Sequence, residues 1–429
     1  MKILKDLPEL VDASVIDPET AEKIRQFYRD KQASAPNRLF LVFGLLGSML
    51  VGLGIILIVA HNWDQLSRPL KTILAFIPLI IGQAIGAFTL LKRFESTAWR
   101  ESSAVFITFA MGACIALVSQ IYHIEGELSG FLFTWCLLSL PIIYVLRSSA
   151  TSLLYIIGIT FYAFEVGYWS RYPPAPYWYL LLLMAVLPHY YQLFRKSPRG
   201  NFIAFHHWLV PLSLLTTLGA FATELSSLMY VAYMSLFGLF MALGQHVFFD
   251  GQKLRNNGYK VLGQLGTAVL LLVLSFDDIW RPIQRNMSEF QLTEILLSSE
   301  MLIVLLLTGT AIALVYLRTR SQGMKSIRLF SVIFLLFILI YTIGSLSGAG
   351  PVVINVLTLS VGVLAILEGS KNNSLGQLNF GLLIVTALII CRFFDMDLTF
   401  VVRGIIFVLL GGGFFAANYW LLKKRKAYE

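Results

Sequence analysis

The groups in this chain best suited to chemistry are polar and charged side chains gathered at the ends of long apolar runs. One run ends in Ala60-His61-Asn62-Trp63-Asp64, and another in Gln120-Ile121-Tyr122-His123, followed by Glu125 and Glu127. A third ends in Phe276-Asp277-Asp278-Ile279-Trp280-Arg281, and a fourth in Arg392-Phe393-Phe394-Asp395-Met396-Asp397, with Arg403 just beyond. Glu165, Glu224 and Glu300 fall near the corresponding ends of their own runs. Charged groups at membrane depth are costly and need partners or water. Together they predict an outward-facing polar vestibule. Its acids would hold cations or relay protons, and its arginines would pair with carboxylate or phosphate. The substrate-binding set on this reading is His61, Asn62, Trp63, Asp64, Gln120, His123, Glu165, Asp277, Asp278, Arg281, Glu300, Arg392, Asp395 and Arg403. The plainer alternative makes each a helix-end residue, with Trp63 and Trp280 as interfacial anchors and the arginines paired to nearby aspartates. Residue types alone leave both open.

Other chemistries lack their signatures. There is no HExxH zinc helix, no GxxxxGK[ST] phosphate loop and no GxSxG nucleophile elbow, so no catalytic residue, metal site or cofactor is expected. His206 and His207 are adjacent and point about 100° apart on a helix, which disfavours a shared metal. With His189 and His246 they read as interfacial histidines. His61 and His123 could join Asp64 and Glu125 around a metal, but their spacing does not demand it. Cys114, Cys136 and Cys391 lie inside apolar runs, so they read as packing residues rather than disulfide partners.

The elements that must position these groups are transmembrane helices. Of 429 residues 57% are hydrophobic and 13% charged, too little charge to cover a water-soluble fold. Apolar runs occur at about 38–60, 72–91, 103–122, 130–146, 150–168, 177–194, 203–221, 226–248, 261–276, 296–317, 329–347, 351–368, 379–394 and 400–422. That predicts an all-α polytopic integral membrane protein of about 14 transmembrane helices. With the N-terminus inside, 26 of the 33 Lys and Arg fall on the cytoplasmic side. The seven opposite are Arg68, Lys71, Arg171, Arg281, Arg285, Arg392 and Arg403. The positive-inside rule therefore places both termini in the cytoplasm. The charge of +9 serves orientation and contact with anionic lipid, and nucleic acid is not an expected partner.

Residues 1–37 are polar and of mixed charge, unlike a signal peptide. Asp17-Pro18-Glu19-Thr20 predicts a helix start, Asp17 as N-cap and Pro18 at the first helical position. The domain reading is a small cytosolic helical hairpin over 1–37, a membrane domain over 38–422 and a basic cytosolic tail over 423–429. The outer segment 277–295 has room for a short interfacial helix. Gly44, Ser48 and Gly52, and Gly82 with Gly86, form small-residue strips for close helix contact. Gly258, Gly263 and Phe276-Asp277 recur as Gly376, Gly381 and Phe394-Asp395 at a constant offset of 118, a faint same-orientation repeat.

Leu10-Val11 through Ala21-Glu22-Lys23-Ile24, the Gly-rich first run into Ala60-His61-Asn62-Trp63-Asp64, and Gln120-Ile121-Tyr122-His123 together resemble a bacterial membrane-protein family known as domain-of-unknown-function family 2157. The resemblance covers roughly the first 150 residues. It implies a multi-pass bacterial inner-membrane protein and supplies no catalytic residue. Span number, short loops and the outer charge set point to a transporter- or flippase-like protein taking a small-molecule, ionic or lipid substrate. A non-transporting scaffold or regulator of an envelope complex is a second reading. A membrane-embedded enzyme acting on a lipid-linked substrate is a third. Partner and oligomeric state stay open.

Overall fold

The computed structural model describes residues 2–13, 15–33, 66–169, 174–245, 247–249, 254–323, 329–395 and single positions between 401 and 415. The apolar runs 38–60 and most of 400–422, the Gly44/Ser48/Gly52 strip, His246 and the tail 423–429 lie outside them. The chain divides into two compact units, Met1–Leu74 and Ala75–Glu429.

In the first unit α1 (Lys2–Asp12) and α2 (Pro18–Ala33) form two short helices with Leu7 and Ala21 buried. The second begins at Pro18, as the sequence predicts, because proline has no N–H to lose in the first turn. The Asp17 carbonyl accepts the first helical bond from the Ala21 N–H at 3.0 Å.

α3 (Arg68–Lys92) runs across the boundary between the two units. The larger unit continues through α4 (Thr97–Tyr122), α5 (Leu128–Val145), α6 (Ser149–Gly167), α7 (Tyr177–Lys196) and α8 (Asn201–Thr217). It goes on with α9 (Met229–Gly244), α10 (Gly258–Val273), α11 (Asp277–Glu289), α12 (Leu292–Leu297) and α13 (Ser299–Gln322). α14 (Ile333–Ser347), α15 (Gly350–Lys371) and α16 (Leu375–Asp395) complete it. Among the described residues nine helices are long and apolar enough to cross a membrane, or ten if the bent pair α10/α11 counts as one. The protein is therefore an all-helical, multi-pass membrane protein.

Short turns reverse the chain between most neighbouring helices, so their ends gather on two levels. Lys92, Arg147, Lys196 and Lys371 mark a basic end, and Glu125, Asp277 and Glu300 the far end. The helix at the centre is α9. Of the span Ser226–Gly244, 72% is buried by protein, against 17% of Ser299–Gln322, most of which stays exposed. Small residues let neighbours close on it. A Cβ on Gly238 would stand 2.5 Å from the ring of Phe334 in α14, so this position admits only glycine without displacing that ring.

The repeat noticed in the sequence falls on two helical hairpins, α9/α10 and α15/α16. Gly263 lies against the Phe237 carbonyl in one, and Gly381 against the Gly362 carbonyl in the other. The equivalence is partial: Gly258 is pressed onto His207 and Trp208, while Gly376 has open space beside it.

Two features depart from the sequence expectation. Trp280 is not an interfacial anchor: it is 1% exposed, wedged against Gly344 and Gly350, with its indole N–H donating to the Leu274 carbonyl at 2.7 Å. His189, His206 and His207 are likewise buried in the helix bundle rather than interfacial. The segment after 276 does form a helix, and α11 turns 88° from α10. Its Trp280 and Ile283 face inward, while Asp277, Asp278 and Arg281 stay exposed, the face pattern of a helix lying across the bundle end.

Candidate functional site

At the far end α8 breaks. After Thr217 the chain tightens into a 3-10 turn, Leu218–Phe221, loops through 222–225, and re-enters by a second 3-10 turn, Ser226–Leu228, into α9. Such a break exposes backbone groups that lipid cannot satisfy. Glu300, in the first turn of α13 and 1% exposed, supplies the acceptors. Its Oε1 accepts from the Thr223 N–H at 2.8 Å, the Thr223 hydroxyl at 2.8 Å and the Leu225 N–H at 3.1 Å. Its Oε2 accepts from the Ser299 hydroxyl at 3.0 Å. Asn286 of α11 adds a bond from Nδ2 to the Glu224 carbonyl at 3.0 Å, and the Tyr341 hydroxyl donates to the Ser227 carbonyl at 2.6 Å.

Two cavities flank this break. One, of about 370 Å³, is an almost wholly apolar cleft between α7, α8, α9 and α13, lined by Leu180, Leu214, Phe221, Leu302, Ile303 and Leu306 among others. The other, of about 520 Å³, opens between the Ser226–Leu228 turn and α11, with Tyr230, Tyr233 and Asn286 in its wall. Asn286 Oδ1 is buried there without a hydrogen-bond partner.

The sequence-selected charges are distributed as follows. Asp277 and Asp278 pair with Arg281 one turn on, at 3.5 and 3.8 Å, all three on the exposed face of α11. Exposed pairs of this kind contribute about 0.2–1 kcal/mol. Arg392 packs its guanidinium 4.6 Å over the Phe276 ring and donates from Nη2 to the Ser275 hydroxyl at 3.3 Å. The two run ends noticed as a repeat therefore meet in space. Glu300 is committed to the 223–225 loop. Glu165 is half-buried on α6, while Gln120 and His123 are exposed where α4 ends, His123 in the left-handed conformation at φ 49°. None of these residues lines the 370 or 520 Å³ cavity. His61, Asn62, Trp63, Asp64 and Arg403, and the side chain of Asp395, lie outside the described residues.

Sequence reasoning passed over a second clamp at the basic end. Glu101 of α4 accepts from the Ser148 hydroxyl at 2.5 Å, the Ser149 N–H at 3.0 Å and the Ala150 N–H at 2.8 Å. A carboxylate from another helix thus caps the start of α6, where the helix dipole favours negative charge. The available signal was Ser148-Ser149 ahead of an apolar run, an N-cap pattern. Its partner, 47 residues upstream, could not be read from spacing. Further inside, His206 Nδ1 lies 2.7 Å from the Phe202 carbonyl, which can only accept, so Nε2 is left to accept from the Ser152 hydroxyl at 2.9 Å. His207 Nδ1 meets the Tyr190 hydroxyl at 2.5 Å. The adjacent histidines serve different networks, and among the described residues no three His, Cys, Asp or Glu gather as a metal site.

The long apolar helices define a polytopic α-helical membrane protein. Residues 8–152 match the family described as "Predicted membrane protein (DUF2157)", a stretch that contains the Glu101 clamp. No curated protein and no solved structure matches the chain.

Proposed function

We propose that this protein is a transporter- or flippase-like protein of the inner membrane that binds an amphipathic substrate at its far end. The observation that carries the reading is the 370 Å³ apolar cleft beside the α8/α9 break. Its volume lies in the range of ligand pockets, and an apolar lining suits an alkyl chain. Broken helices around a cavity are the form irregular backbone takes where a membrane protein handles a substrate. The substrate's polar end would lie among the outer charged groups, with Asp277, Asp278 and Arg281, the last next in the chain to Pro282 of the 520 Å³ cavity, and His61, Asn62, Trp63, Asp64, Asp395 and Arg403 completing the vestibule. Because Glu300 is occupied by the 223–225 loop, an amphiphile fits better than a bare ion.

The orientation proposed with it has 14 spans and both termini in the cytoplasm. α7, α10 and α14 add three crossings to the nine helices that pass on length and composition, and the runs 38–60 and 400–422 add two. The basic end then faces the cytoplasm, as the positive-inside rule asks, and α1/α2 form a cytosolic hairpin.

The test is retention of a lipid-like ligand. Native mass spectrometry of the full chain, purified in mild detergent, should show a bound amphiphile that Ile303→Trp, which fills the cleft, removes. Arg281→Gln should change headgroup preference while leaving chain binding. Apo protein throughout, or equal retention by Ile303→Trp, sinks the reading.

A further inference from the structure

At the basic end, on the face opposite the proposed substrate cleft, a cavity of about 240 Å³ lies between the starts of α4, α6 and α8 and the end of α7. Arg100, Arg147 and Lys196 stand in its wall, with Glu101 and His189. The Glu101 carboxylate is already occupied by three donors from the start of α6, so the unspent charge of the cavity is cationic. α8 begins here as well. Its N-cap is Gly200, which offers no side chain to the first turn, so the free N–H groups of Asn201, Phe202 and Ile203 border the same space. A helix start with no cap of its own is a ready anion cradle.

A second, independent observation points to a ligand. His189 lines the cavity, is 5% exposed, and its Nε2 has no hydrogen-bond partner. Arg100 Nε, in the same wall, is also buried without one. Buried polar side chains are normally satisfied, and an imidazole that makes no hydrogen bond in the wall of a small cavity marks the place of a missing partner. The backbone adds to this. Arg147 holds φ 49°, the left-handed conformation that closes α5, and the Ser148 N–H reaches back to the Ile143 carbonyl at 3.1 Å. Glycine is the usual residue at that position, yet the chain keeps an arginine there, its guanidinium 5.3 Å over the Phe94 ring, beside that of Arg100 at 5.4 Å.

We propose that this cavity is a binding site for a phosphate group, held by Arg100, Arg147 and Lys196, the first N–H groups of α8, and His189. A tetrahedral oxyanion answers each donor present: guanidinium forks, an ammonium, backbone N–H groups and an imidazole N–H. The volume takes a phosphate with a small substituent, so the group is either free phosphate or the headgroup of an anionic phospholipid. The site goes beyond the amphiphile reading and stands or falls separately from it.

The experiment is a thermal melt of the full chain in nonionic detergent at constant ionic strength. One arm titrates inorganic phosphate against chloride; the other titrates dihexanoyl phosphatidic acid against dihexanoyl phosphatidylcholine. A ligand that binds the folded state raises the midpoint saturably. The wild type should show this in at least one arm. A response to phosphatidic acid alone identifies a lipid headgroup; a response to phosphate of equal or greater affinity identifies the free ion. Lys196→Gln and Arg147→Gly should raise the half-saturating concentration at least tenfold. Both replace exposed side chains, and Arg147→Gly relieves the left-handed backbone, so their ligand-free melts should match or exceed wild type. No saturable response in either arm, or variants that bind as wild type does, overturns the proposal.

Discussion

Glu300 offers the sharpest separation between a binding carboxylate and a structural one. Replacing it with alanine strands four donors, but not equally. Thr223 is exposed, so its N–H and hydroxyl can turn to water, whereas Leu225 is 3% exposed and its N–H cannot. An orphaned buried donor costs about 1–3 kcal/mol, and loss of the charge-assisted bond to Ser299 adds about 1 kcal/mol. Relief of the carboxylate's own desolvation offsets part of this, giving a net loss of about 2–3 kcal/mol for Glu300→Ala. Glutamine is different. Its amide oxygen can occupy the Oε1 position and keep three of the four bonds, while its NH2 group can donate to Ser299 Oγ. Glu300→Gln should therefore lose only about 1 kcal/mol, mainly the charge assistance. Denaturant unfolding in detergent, followed by tryptophan fluorescence, would measure both. If Gln is as damaging as Ala, the carboxylate's charge matters beyond its hydrogen bonds, and the clamp argument fails.

Trp280→Ala should cost about 3–5 kcal/mol, because it empties a fully buried site shared by α11, α14 and α15, and Trp280→Phe should recover most of it in the same unfolding assay. Gly381→Val pushes a branched side chain against the Gly362 carbonyl, which a Cβ would already approach to 2.7 Å; an overpacking loss of about 1–3 kcal/mol is expected, while the same change at Gly376, with open space, should be near neutral. Asp17 predicts a pH effect at the start of α2. The Thr20 hydroxyl bond holds its carboxyl below the usual carboxylate value, so its support for the helix is complete above the unfolded value of about 3.9 and fades as pH falls through the lower folded one. Amide exchange over residues 18–24 should report that loss, and in Thr20→Val the loss should begin at higher pH.

Much of the candidate far end was legible in outline. Runs of apolar residues announced most of the helices, and Asp277, Glu300 and Arg392 lie in the first or last turns of helices, with Arg281 one turn on from Asp277, where the charged ends of those runs fall. What each charge does there was not legible. Glu300 reads in the sequence like any intramembrane acid, and only its neighbours across the break, 75 to 77 residues away, make it a backbone clamp. Arg392 and Phe276 stand in the same position: the repeat suggested that their segments were alike, but contact between them is a property of how two hairpins pack. The basic-end cavity was missed because its residues come from four helix ends, each unremarkable alone.

The chain by itself determined its solvent. A mean hydropathy of +0.74 and helix-length apolar runs leave a bilayer as the medium in which this backbone can satisfy itself. It could not determine which helices face lipid. Among the described membrane-length helices α9 is the most enclosed and α13 the least, yet each carries an apolar stretch long enough to cross a bilayer. In water, amphipathic periodicity separates an inner face from an outer one. In a membrane the lipid tails and the protein core are equally apolar, so that signal is erased, and the inner helices, the clamps between them and the cavities they leave were decided by tertiary packing.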